Sequence, residues 1–253
     1  YWRNFVIIIS FHTDLYLLKV TKFEKGFWNP IKKILIVFIN THTHKQLYDA
    51  QIELVSLTGG SEEKANLYSI GIHPWFIDKE TVHNELENLK IDEKKKKCLA
   101  IGECGLDKLS KVNFALQEEV FVEHIKIANQ IQKPLIVHCV KAFNEVLNCL
   151  NLQDNNVPVI VHGFNNNENI ARLMVEQGIF FSFGKALLGY ESNAAKALIT
   201  VGRKNFFLET DNADISIKYI YKKASELLHI DEEILKLQLQ QNFERVFDFK
   251  FKN

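Results

Sequence analysis

The feature that most constrains this chain is a series of eight short apolar runs separated by stretches with helical spacing. The runs are Ile34–Asn40, Ile52–Leu57, Leu67–Ile72, Cys98–Glu103, Leu135–His138, Val157–His162, Ile179–Phe183 and Phe206–Glu209. Each has the length of a strand. Continuous rather than alternating apolar character marks strands buried on both faces, as in parallel sheets. Between the runs lie Asp78–Leu89, Val112–Gln132, Ala142–Asn151, Glu168–Gln177 and Asn193–Val201. In the longest of these, Phe114, Val120, Phe121, His124, Ile125 and Ala128 recur at three-to-four spacing, one face of a helix. Gly178 is a helix stop, and Asp231 an N-cap for a closing helix to Val246. Strands alternating with helices predict a parallel sheet, and eight of them predict an α/β fold of the (β/α)8 TIM-type barrel class. At 253 residues, 47% of them hydrophobic, the chain has the length and the core for one such barrel.

Residues 1–33 are unlike the rest: aromatic and apolar, with no clear period. They are set apart as an N-terminal extension of unknown role, and residues 34–253 as the barrel domain. His12, within the extension, reads as a surface histidine. With 31 basic and 31 acidic side chains the net charge is zero, which excludes a tight nonspecific nucleic-acid binder. Any contact with nucleic acid must be local. Cys98, Cys104, Cys139 and Cys149 are scattered without a C-x-x-C pair, so reduced thiols and a cytoplasmic location are expected. No apolar run approaches the ~20 residues that span a bilayer. The short apolar core Phe5–Ile9 lacks an A-x-A-like cleavage site, so neither a secretory signal nor a membrane partner is expected. A monomer is the expected state. The charged run Glu93–Lys97 precedes the fourth strand and reads as a solvated loop on the amino-terminal face of the barrel.

Barrels of this kind carry their chemistry at the carboxyl ends of the strands. The first run leads into His42 and His44, which point the same way in an extended chain. Taken alone, that pair reads equally well as two metal ligands or two loop histidines. The third run gives Gly71-Ile72-His73-Pro74, the fourth Glu103 and, beyond it, Asp107. The fifth ends at His138, the sixth at His162, and the eighth runs through Glu209 to Asp211. Imidazole with carboxylate suits zinc or manganese, and carboxylates suit magnesium. The two oxygens of one carboxylate can bridge two ions. Two ions about 3.5–4 Å apart can stabilise both the attacking and the leaving oxygen of a phosphoryl displacement.

The ordered set NTHTH, GIHPW, AIGECGLD, PLIVHC, VIVHGF, FSFGKAL, LETD and NFERVF resembles the TatD-like metal-dependent deoxyribonucleases of the amidohydrolase superfamily. The resemblance covers about Ile34 to Phe247. It implies two divalent metal ions (Mg, Mn or Zn), one held by His42, His44 and Asp211, the other by His138 and His162, with Glu103 bridging. It implies hydrolysis of DNA phosphodiesters by a metal-activated hydroxide, on single strands or 3′ ends, possible 3′–5′ exonuclease action included. Asp211 and Glu103 would be the catalytic residues, Asp211 orienting or deprotonating the water. His73 and Asp107 stand where the family keeps further polar site residues, contacting substrate or backing the ligands. Glu209, one pleat from Asp211, is a further candidate to contact substrate or back the ligands. Lys141 and Lys185, just past strand ends, are candidates to meet phosphate.

Two departures stand out. The family commonly has Asp where this chain has Asn40, and HCFSG where it has HGFNN. Loops set specificity on this fold. Two other functions therefore remain open: hydrolysis of a small amide, lactone or ester by the same centre, and a catalytically weak barrel serving as a binding module.

Overall fold

Each of the eight apolar runs contributes to a strand of one parallel sheet, the first of them through Ile39 and Asn40. The computed structural model describes residues 5–11, 14–20, 36–58, 65–92, 96–189 and 191–251. His12, Ile34, Leu35 and the start of the Glu93–Lys97 run lie outside the described residues. Ahead of the sheet, β1 (Phe5–Phe11) and β2 (Asp14–Val20) pair as an antiparallel hairpin. The sheet follows as β3 (Ile39–Thr43), β4 (Ile52–Thr58), β5 (Leu67–Gly71), β6 (Cys98–Asp107), β7 (Leu135–Val140), β8 (Val159–Val161), β9 (Phe180–Phe183) and β10 (Phe206–Leu208), each beside its neighbour in sequence.

The ring closes between the first and last of these strands. Thr43 and Asp211 form a parallel bridge, and Asp211 N donates to His42 O at 3.0 Å. Below it, Asn40 Nδ2 donates to Thr210 Oγ1 at 2.8 Å while its Oδ1 accepts from Thr210 N at 3.1 Å. Asn40 is therefore a seam residue outside the histidine cluster. These cross-seam bonds also explain why β3 extends past the apolar run to Thr43. Buried Asn40 and Thr41 find partners inside the barrel, so polarity does not end the strand.

Helices α1 (Val82–Asp92), α2 (Phe114–Ile131), α3 (Phe143–Leu152), α4 (Glu168–Glu176), α5 (Asn193–Val201) and α7 (Glu232–Phe247) fall where the periodicity puts them. Asn113, Asn167, Ser192 and Asp231 cap α2, α4, α5 and α7 by accepting from first-turn N–H groups. One helix, α6 (Ile217–Leu228), was not expected from the sequence. Its buried Ile217, Ile220, Tyr221 and Ala224 do follow helical spacing, but Lys218, Tyr219, Lys222 and Lys223 between them dilute the signal. The Tyr221 hydroxyl bonds both N–H and C=O of Ile39 at 3.1 Å, fixing α6 to β3. Ile39, Leu54, Ala100, Ile136, Ile160 and Phe207, near the amino ends of their strands, pack with Phe243, Val246 and Phe247 of α7. That apolar layer floors the barrel beneath the carboxyl-end residues. No helix of the described residues is long and apolar enough to cross a membrane.

Candidate metal centre

The barrel brings its strand-end polar residues into one cluster around Glu103. Glu103 lies on β6 between two glycines with positive φ, Gly102 at +137° and Gly105 at +136°. A Cβ on Gly102 would stand 2.2 Å from Ile136 O, and one on Gly105 2.1 Å from His138 O. Glycine at both positions lets β6 run hard against β7, which brings the Glu103 carboxylate and the His138 ring together.

The two carboxylate oxygens of Glu103 face different groups. Oε2 lies 3.1 Å from His44 Nε2 and 3.4 Å from His42 Nε2. Oε1 lies 2.8 Å from His162 Nε2, 3.0 Å from His138 Nδ1 and 3.1 Å from His73 Nε2. Asp211 closes the first side, its Oδ1 3.3 Å from His44 Nε2 and 3.8 Å from His42 Nε2. Three sets of donor atoms lie within 4.8 Å of one another: His42, His44 and Asp211; His42, Glu103 and His162; His73, Glu103 and His138. The expected first set is thus gathered as a unit. On the other side His73 stands beside His138 and His162.

Outside this ring sit supporting contacts. Asp107 Oδ2 lies 3.2 Å from His138 Nε2 and accepts from the Trp75 indole N–H at 2.5 Å. Glu209 is fully buried; its Oε1 accepts from Gly163 N at 2.8 Å and lies 3.5 Å from His162 Nδ1. His73 Nδ1 accepts from Trp75 N at 3.0 Å, so in the neutral ring Nε2 carries the proton towards Glu103. Lys185 lines a cavity of about 330 Å³ with Gly163, Glu209, Asp211 and Asn212. Lys141 is exposed just past β7. Trp75 was missed as a site residue. Its only signal was its place after His73-Pro74. His124, on α2, presents in sequence only as a helix-face residue, but its Nε2 accepts from Ile72 N at 2.9 Å, behind His73.

Electrostatics run one way here. Burial alone would push the Glu103 carboxyl up, but His162, His138 and His42 hold it well below the usual range. Burial would likewise raise Asp211, but the hydrogen bond from His44 together with the charges of His42 and His162 holds it below its ordinary value. Asp211 and Glu103 together lift His44 to about 9. Burial works against a charge on His162, yet Glu103 and Glu209 carry it well above its ordinary value. The carboxylates thus maintain a negative field that protons or a cation can fill. His42 Nδ1, His42 Nε2 and Glu103 Oε2 are buried without an aligned hydrogen-bond partner among the described residues. Polar atoms left buried without a partner are costly unless something else engages them. This donor set of imidazoles and carboxylates fits divalent cations.

A profile of the TatD related DNase family matches residues 31–248. The chain belongs to this family. As a TatD-family member it is a metal-dependent hydrolase. It is 26% identical over 267 residues to an uncharacterized metal-dependent hydrolase of Buchnera aphidicola subsp. Baizongia pistaciae, spanning 96% of this chain and 97% of that one. It is 27% identical over 186 residues to deoxyribonuclease Tat-D of Schizosaccharomyces pombe, spanning 63% and 59% of the two chains. The crystal structure of the TatD homolog YjjV from Escherichia coli superposes with a TM-score of 0.69 at 20% identity, covering 78% of this chain and 86% of that one. That last likeness speaks for the barrel alone.

Proposed function

We propose that this TatD-family hydrolase is a deoxyribonuclease that cleaves DNA phosphodiesters, on single strands or 3′ ends, with two divalent cations. The observation that carries the two-cation reading is the split of Glu103. One oxygen faces His42 and His44, the other His138, His162 and His73. His42, His44 and Asp211 would hold one ion, His138 and His162 the other, with Glu103 between. Mg, Mn and Zn all suit these donors. When bound, such ions polarise the phosphoryl oxygens and make hydroxide available near neutral pH. DNA as substrate is supported by the family match and by the name of the fission-yeast relative.

The side chains divide the remaining work. Asp211, its carboxyl held ionised by His44, accepts a proton from the attacking water and aligns it. Asp107 holds the His138 ring through Nε2, and Glu209 steadies His162 through Nδ1, which keeps both imidazoles aimed at Glu103. Lys185, beside Asp211 in the cavity, meets a substrate phosphate. The catalytic unit is residues 34–253, with 1–33 as an extension; the family match at 31–248 supports this division. Four free cysteines support a cytoplasmic location.

The test is incubation of folded, metal-loaded protein with single-stranded DNA and magnesium or manganese, with and without chelator. Metal-dependent cleavage is expected. Intact DNA in every metal would refute the reading, as would turnover of a small ester, lactone or amide far above any phosphodiester.

A further inference from the structure

We propose that Trp75 is the stacking surface for a nucleobase next to the bond that is cut. On this reading the enzyme selects strands whose bases are unpaired. The inference rests on the nuclease function proposed above and names what that site recognises.

Trp75 and Phe76 are adjacent aromatic residues on the loop after β5, and they are 55% and 67% exposed. Large rings left in water need a reason when they stand together at a site. The Trp75 ring lies 5.1 Å from the ring of His73 and 5.9 Å from that of His138, both of which contact Glu103. Its orientation is fixed, because the indole N–H donates to Asp107 Oδ2. The edge of the ring is tied down while more than half of the residue stays open. Phe76 leans on the same histidine, 5.4 Å from the His73 ring.

A pinned indole beside the reacting centre suits a nucleobase. Every base has a π-face, so stacking tolerates any sequence, but a base must leave its pair and its stack to use it. The charge balance supports the same occupant. With 31 basic and 31 acidic residues the chain has no field to gather DNA through its backbone, so affinity must come from local contacts. Stacking supplies one that carries no charge.

The test compares a single-stranded oligonucleotide with the same strand made abasic on either side of the bond that the wild-type protein cuts. Removing one base–aromatic stack should raise KM by about tenfold, so the wild type should show that loss on the abasic strand. Trp75→Ala should raise KM for the intact strand by about the same factor and no longer distinguish the two strands. Trp75→Phe, which keeps a ring but loses the N–H to Asp107, should still distinguish them. A change in kcat shared by both variants would report the Asp107 contact and leave the KM pattern to report stacking. Equal KM for the two strands in the wild type would overturn the inference, and so would a Trp75→Ala protein that still distinguishes them. If the alanine variant does not fold, Trp75→Leu, which fills the position without a π-face, takes its place in the same comparison. Failure of the nuclease reading looks different: the wild type would then leave both strands intact, and the stacking role would fall with it.

Discussion

His124 should make this barrel lose stability between pH 7 and pH 5. The residue is fully buried on α2. Its Nδ1–H donates to Val120 O at 2.8 Å, and its Nε2 accepts from Ile72 N at 2.9 Å. A second ring proton would set two donors against each other. Burial, set against the Val120 carbonyl and Glu123, lowers the pKa from 6.5 to about 4. The sign follows from the neutral form being the native one. Above pH 6.5 both folded and unfolded chains carry a neutral ring, and stability is complete. As pH falls towards 4, the unfolded chain takes up a proton that the folded chain refuses. From pH 7 to pH 5 the loss is about 2 kcal/mol.

Urea unfolding followed by circular dichroism, in chelator so that metal linkage does not enter, measures this directly. The control is His124→Gln, whose amide can replace both hydrogen bonds but does not titrate. At pH 7 the variant should be less stable by about 1 kcal/mol, because its geometry is poorer. By pH 5 the difference should vanish or reverse. Unfolding free energies that stay parallel within about 0.5 kcal/mol across that interval would refute the assignment of a neutral, doubly bonded ring.

Four further outcomes are expected. Glu103→Gln removes one of the two charged oxygens between the histidine groups and should weaken divalent-cation binding by calorimetry, and cleavage by rate, about 100-fold or more. Manganese at about 100 times its dissociation constant should stabilise the fold by about 2.7 kcal/mol, seen as a rise in Tm that chelator reverses. Gly105→Ala should cost roughly 3 kcal/mol or more in thermal unfolding, since its Cβ meets the His138 carbonyl and its φ is +136°. Tyr221→Phe, which strips the hydroxyl shared by both backbone groups of Ile39, should cost about 1–3 kcal/mol in urea unfolding.

Much of this molecule was legible in the sequence because two signals are local. Strands buried on both faces read as apolar runs, and chemistry at a barrel rim reads as polar residues ending those runs. The eight strands and the strand-end histidines follow from that. What was missed depends on contacts far apart in sequence. Asn40 looked like a weakened site position, yet its amide is spent on Thr210, 170 residues away. The α6 stripe is interrupted by lysines that only the folded chain turns outward. Trp75 gave no periodic signal, because its role comes from Asp107 on the next strand. The place of His73 after its strand suggests support or substrate contact, and only the fold sets its Nε2 3.1 Å from Glu103.

The seam of the barrel has a consequence for how the protein is made. His42 and His44 leave the ribosome early, whereas Asp211, which bridges to Thr43, emerges after every strand of the sheet. The cluster of His42, His44 and Asp211 is therefore absent from every nascent chain that has not yet delivered its last strand. Synthesis itself delays that cluster, which assembles only when the first and last strands of the sheet meet.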